Sequence, residues 1–144
     1  MFFKKKTKDL SFDSNPGFSS LVANGVTFAG SLDFVGTLKV AGIVKGDRIT
    51  GAGDATNLDQ LFVAEGGVVE SAEITAHNIV INGTVTSKVI RATGTVSIGP
   101  KASISSAVIY YSRLNVSQAA FIDRCELRNN AAVTAGDTEA QQSE

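Results

Sequence analysis

Tryptophan is absent from this 144-residue chain, and cysteine and histidine each occur once. The single cysteine, Cys125, cannot close an internal disulfide, so nothing points to an oxidising compartment. A lone cysteine and a lone histidine, His77, cannot build a structural zinc site. A Ser-His-Asp arrangement would have to use His77, which stands in ITAHN at an expected corner and reads as solvated. No apolar run approaches the roughly 18–20 residues of a membrane-spanning helix. A secretory leader places a basic segment before a long apolar one; here Met1, Phe2 and Phe3 precede Lys4, Lys5 and Lys6, and polar sequence follows. A cytoplasmic chain is the expectation. There is no Gly-x-x-x-x-Gly-Lys-Ser/Thr phosphate loop, so no nucleotide cofactor is implied. The net charge is −1, and the basic residues of the body are scattered and not interleaved with aromatics. Nucleic acid is therefore not an expected partner.

What the chain does have is glycine, 14 residues of it, together with abundant Val, Ile, Thr and Ser, which suit strands and turns. Aliphatic pairs one residue apart recur at Ile79/Ile81, Val96/Ile98 and Leu114/Val116, in steps of 17 and 18 residues. The alternation within each pair is strand geometry. The step is too short for two packed helices, so it describes coils of short strands stacked into a solenoid. Extending the series backwards marks Leu21, Leu38, Leu61, Ile79, Val96 and Leu114 as the starts of six coils. One step is 23 residues long and contains Thr50–Gln60, read as an enlarged corner loop. A second aliphatic position in each coil falls at Phe28, Val44, Val69, Val85, Ile104 and Phe121. A third falls at Leu32, Ile49, Ile74, Val89 or Ile90, Val108 and Cys125. Three inward ridges predict an all-β, single-stranded solenoid with three faces, about 29 Å long at about 4.8 Å per coil.

Three segments follow. Residues 1–20 lack periodicity and contain the breaker Asn15-Pro16-Gly17, so they read as a flexible arm. Residues 21–128 are the β-helical body. Residues 129–144 are small, polar and acidic, and cannot bury enough to order themselves.

The opening of the body, NGVTFAGSLDFVGTLKVAGIVKGDRI (24–49), and the later LFVAEGGVVESAEITAHNIVINGTV (61–85) carry a family likeness. The run Glu65-Gly66-Gly67-Val68-Val69-Glu70, with Ser71 where glycine is common, resembles the bactofilins. The start MFFKKK is similar to the apolar-plus-lysine membrane anchor of many members. The resemblance implies a right-handed β-helix that polymerises end to end, without nucleotide, into non-polar cytoskeletal filaments at the inner face of the cytoplasmic membrane. It does not indicate which client proteins are recruited.

The residues reach self-assembly on their own as well. A solenoid without capping helices presents two edge coils with unpaired backbone groups and a cut-open apolar core. Leu21, Val26, Phe28 and Leu32 are the candidate contacts at the N-terminal coil. Leu114, Val116, Phe121, Cys125 and Leu127 are those at the C-terminal coil. Met1–Lys6 are the candidate membrane-targeting residues. Phe62 and Val80, outward on adjacent coils, offer a candidate lateral contact. Three glutamates, Glu65, Glu70 and Glu73, could crowd one corner, but later coils are poor in acids and no carboxylate ladder of a polysaccharide hydrolase is formed. No catalytic residue is expected.

Two other readings stay open. One is a left-handed β-helix acyltransferase built on hexapeptides. Val96, Ala102 and Val108 obey its six-residue rule, whereas Arg91 and Glu73 break it. The other is an adaptor that binds a partner through its tails without polymerising.

Overall fold

The structure, a computed structural model, describes residues 20–53 and 58–130. Residues 1–19, with Met1–Lys6, and 131–144 lie outside the described residues; of the expected arm and tail, Ser20 belongs to β1, Asn129 to β14, and the Asn130 side-chain amide donates to the Ala92 carbonyl at 2.9 Å. Every regular element of two or more residues among the described residues is a strand. Coil one holds β1 (Ser20–Val22), β2 (Thr27–Ala29) and β3 (Leu32–Phe34); coil two holds β4 (Thr37–Val40) and β5 (Ile43–Gly51). Coils three to five each pair a four-residue strand with a nine-residue one. These are β6 (Gln60–Val63) with β7 (Val68–Ala76), β8 (Asn78–Ile81) with β9 (Thr84–Ala92), and β10 (Thr95–Ile98) with β11 (Ser103–Tyr111). Coil six holds β12 (Arg113–Val116), β13 (Phe121–Asp123) and β14 (Glu126–Asn129).

All pairings are parallel. The short strands make one sheet in the order β1-β4-β6-β8-β10-β12, and the rest make an eight-stranded sheet. Parallel neighbours one coil apart are the signature of a solenoid, and the six coils match the expected count. The nine-residue strands are creased. In β7, Val69, Ser71, Ile74 and Ala76 are all buried, so two alternating runs are joined by one extra residue. That extra residue turns the corner and divides the larger sheet into two faces, which completes three. The Ser71 hydroxyl donates to the Glu73 carbonyl at 3.0 Å, and the Ser87 hydroxyl, stacked beneath it, donates to the Val89 carbonyl at 2.9 Å. The creases of β7 and β9 are thus each tied from inside by their own serine.

The core is a set of columns running down the rod. Leu61, Ile79 and Val96 are fully buried in one column, Val44, Val69, Val85 and Ile104 in a second, and Ile49, Ile74, Ile90 and Ile109 in a third. Four of the expected ridge positions move. Ser20, not Leu21, pairs with Leu38, so Leu21 faces outward and Val22 fills the core. Ile122, not Phe121, continues the second column, because Ser103 pairs with Phe121 and Ile104 with Ile122. The third column runs through Ile90, Ile109 and Leu127, and not through Val108 and Cys125. The cause is common to them: strand side chains alternate, so a slip of one residue turns every side chain to the other face. The extra crease residue makes the spacing between second and third columns five, as in Val69 to Ile74 or Ile104 to Ile109, which simple alternation does not anticipate.

The corner between the two sheets is made by a column of small residues. Gly42, Gly67, Gly83, Ala102 and Ala120 each directly precede a paired position of the next strand. A Cβ on Gly67 would strike the carbonyl oxygens of Val40, one coil back, and of its own turn at Ala64. The long step is an insertion between β5 and β6, narrower than the expected Thr50–Gln60 loop because Thr50 and Gly51 belong to β5 and Gln60 to β6; residues 54–57 lie outside the described residues. It returns to the coil at Asp59, which is buried, and whose carboxylate accepts the backbone N–H of His77 on the next coil at 2.7 Å.

Candidate polymer interface

Each end strand is hydrogen-bonded on one side only. β1, β2 and β3 pair with coil two, and β12, β13 and β14 pair with coil five. The outward-directed N–H and C=O groups along both end coils have no strand partner within the described chain. The columns also end here, so side chains that would be fully buried one coil further in are partly uncovered.

At the N-terminal end Phe28 and Leu32 are inward, half-buried and packed on the core. Phe34 is buried over Gly51, its register partner. Val26 is exposed in the turn before β2, where its carbonyl accepts the Ile43 N–H, and Leu21 is exposed on the outward face. At the C-terminal end Leu114 and Ile122 are inward and half-buried, while Val116 and Leu127, inward by register, are exposed. Leu127 is 41% exposed, against 0% for Ile109 directly above it. Cys125 sits in the crease of the last coil, packed against the core, with its thiol 3.6 Å from the Asp123 carbonyl. Phe121 points sideways and is 60% exposed. Arg124, in the same crease, has the positive φ of 57° that lets the chain turn there.

Val22, Phe34 and Ile122 belong to the end surfaces and were not singled out from the sequence. A signal for Ile122 exists: the small corner residues Gly67, Gly83, Ala102 and Ala120 each stand two residues before an inward aliphatic. Counting from Ala120 reaches Ile122 and passes over Phe121.

On the flank of the six-stranded sheet, Phe62 and Val80 are adjacent outward neighbours. With Pro100, Asn115 and Val116 they line an open groove of about 370 Å³. The chemistry-bearing residues do not converge. His77 Nδ1 lies 2.9 Å from the Thr93 hydroxyl. Glu65 is in a turn, and Glu70 and Glu73 stand on opposite sides of the crease. Among the described residues no group of three or more His, Cys, Asp and Glu could hold a metal ion. No described helix is long and apolar enough to cross a membrane.

A six-coil parallel solenoid with apolar columns cut open at both ends has the form of a stacking module, a protein whose surfaces suit more copies of itself. The family model described as "Bactofilin: Polymer-forming cytoskeletal" matches residues 20–126, and the chain belongs to this family. It is thus a member of a structural, polymer-forming class. No curated protein and no solved structure matches it.

Proposed function

We propose that the protein is a cytoskeletal scaffold that forms filaments by end-to-end stacking of its β-helix, without nucleotide. The observation that carries this reading is the pair of open ends, where Phe28, Leu32, Val116 and Leu127 lose the cover that their column neighbours have. Stacking a second rod restores both the missing strand pairing and the missing apolar cover. If like ends meet, each joint is isologous, the same residues contributing from both sides of a two-fold axis, and the filament is non-polar.

The filament is proposed to lie on the inner face of the cytoplasmic membrane through Met1–Lys6. Two phenylalanines contribute about 1.5–3 kcal/mol each when buried, and lysines near an anionic leaflet about 1 kcal/mol each. Ordering the arm subtracts from this, so one copy attaches reversibly and a filament with many copies attaches firmly. Client proteins would be held on such a scaffold.

The test is negative-stain microscopy of the purified full chain with nucleotide removed by apyrase. Long filaments of solenoid width are expected with or without added ATP or GTP. A monodisperse rod at all concentrations, or assembly only with nucleotide, would overturn the reading.

A further inference from the structure

In a solenoid sequence order is axial order, so the order of charges is also their position along the rod. Residues 20–76 form the first three coils and 78–130 the last three. Among the described residues the first half holds Lys39, Lys45 and Arg48 against six acidic residues. The second holds six basic residues against only Asp123 and Glu126. Among the described residues the rod therefore has an excess of three acidic residues in one half and of four basic residues in the other. All six basic residues of the second half are exposed, as are Asp33, Asp47, Glu65 and Glu70 of the first. The two halves are centred about 14 Å apart, three coils at about 4.8 Å, which exceeds the Debye length of about 8 Å at physiological salt. They act as separate charged bodies.

The face beyond the crease carries part of this asymmetry, with Asp33, Asp47 and Glu73 against Arg48 in the first half and Lys88, Arg91 and Arg128 against Glu126 in the second. One outward column there runs Asp33, Thr50, Thr75, Arg91, Tyr110, Arg128. Asp47 of coil two and Lys88 of coil four are exposed at the crease beside it, two coils apart in one column. The basic end is pre-ordered: the Arg91 guanidinium lies 4.5 Å from the Tyr110 ring centroid, and Arg128 is bridged to Glu126 at 2.6 Å.

We propose that this face is a lateral contact between copies of this chain in neighbouring filaments, staggered so that the acidic half of one rod faces the basic half of the next. Whichever ends meet within a filament, acidic and basic bands alternate along it. Two filaments side by side in register repel; shifted along the axis, they attract. Exposed ion pairs contribute little singly, and their repetition along two filaments makes the contact firm. The proposal rests on the filament reading for that repetition.

The test compares a low-speed pellet, which collects bundles, with a high-speed pellet, which collects single filaments, for the full chain. At about 20 mM salt most of the protein is expected in the low-speed pellet. At about 500 mM, where the Debye length is about 4 Å, it should shift to the high-speed pellet with filaments intact. The acidic-half triple variant Asp33→Lys, Asp47→Lys, Glu73→Lys should form single filaments only. So should the basic-half triple variant Lys88→Glu, Arg91→Glu, Arg128→Glu. The six-fold variant, which reverses the dipole, should bundle again, an outcome that general damage to the fold does not produce. Bundling insensitive to salt, or unchanged in both triple variants, overturns the proposal. A low-salt preparation without bundles, whose basic half instead binds anionic vesicles in the chain lacking residues 1–6, also overturns it and makes the surface a lipid contact. If neither pellet forms, the filament reading has failed separately. Sedimentation velocity at about 20 mM salt then reads the lateral pair directly, and a monomer there overturns the proposal.

Discussion

Replacing Leu127 by arginine tests the end-to-end joint at the residue whose environment differs most between rod and filament. Leu127 closes the column Leu32, Ile49, Ile74, Ile90, Ile109, and it is 41% exposed in the single rod. Its present burial is therefore worth roughly three-fifths of the 1.5–3 kcal/mol of a fully buried leucine, about 1–2 kcal/mol. That is the most the free rod should lose, because the arginine head group can reach water past the last coil. Within a joint the same head group has no such exit. An unpaired buried charge costs several kcal/mol. At about 4 kcal/mol per joint, and about 1.4 kcal/mol per factor of ten, the concentration needed for assembly rises by about a thousandfold. Circular dichroism and thermal melting should show a folded rod, and sedimentation should show a small species where the parent chain pellets. Ser105→Arg adds the same charge on the outward, exposed face of coil five and should leave assembly unchanged. Leu127→Arg that stays folded and still forms filaments at the parent's concentration would refute the reasoning.

At the corner, Gly67→Ala sets a methyl group against the Val40 and Ala64 carbonyl oxygens and should cost about 1–3 kcal/mol, read as a lowered urea midpoint. Asp59→Ala leaves the His77 N–H, now paired at 2.7 Å, without its acceptor; a loss of about 1–3 kcal/mol in the same assay is expected, and an unchanged midpoint would show that the N–H finds another partner. Deleting residues 1–6 should release the protein from anionic vesicles in a flotation assay while filaments persist, and undiminished flotation would place the anchor elsewhere.

The middle of the rod was legible in the sequence because each coil there has neighbours on both sides to compare with. Leu61, Ile79 and Val96 repeat one environment three times, and their spacing alone gives the pitch. The long Thr50–Gln60 step also declared itself through its Gly and Asp content. The end coils were harder because alternation fails to decide between adjacent apolar residues. Leu21 and Val22, or Phe121 and Ile122, fit either face by hydropathy, and only strand register separates them. The crease hid the third column in the same way, since its extra residue falls in a pair of mixed hydropathy, Ala72-Glu73 in one coil and Lys88-Val89 in the next. The charge asymmetry was present in the sequence throughout, but it acquires direction only once coil order becomes distance along an axis. The open ends followed from the fold type, whereas the residues that form them depend on those one-residue shifts.

Electron cryomicroscopy of filaments grown from the full chain without nucleotide tests end-to-end stacking most directly. Layer lines should show strands perpendicular to the filament axis at about 4.8 Å, with a subunit repeat near 29 Å, or near twice that if like ends meet. Density for Leu127 or Leu32 should lie inside a continuous apolar core across each joint. Filaments in which the rods lie side by side or across the axis, with Leu127 and Leu32 left facing solvent, would contradict it.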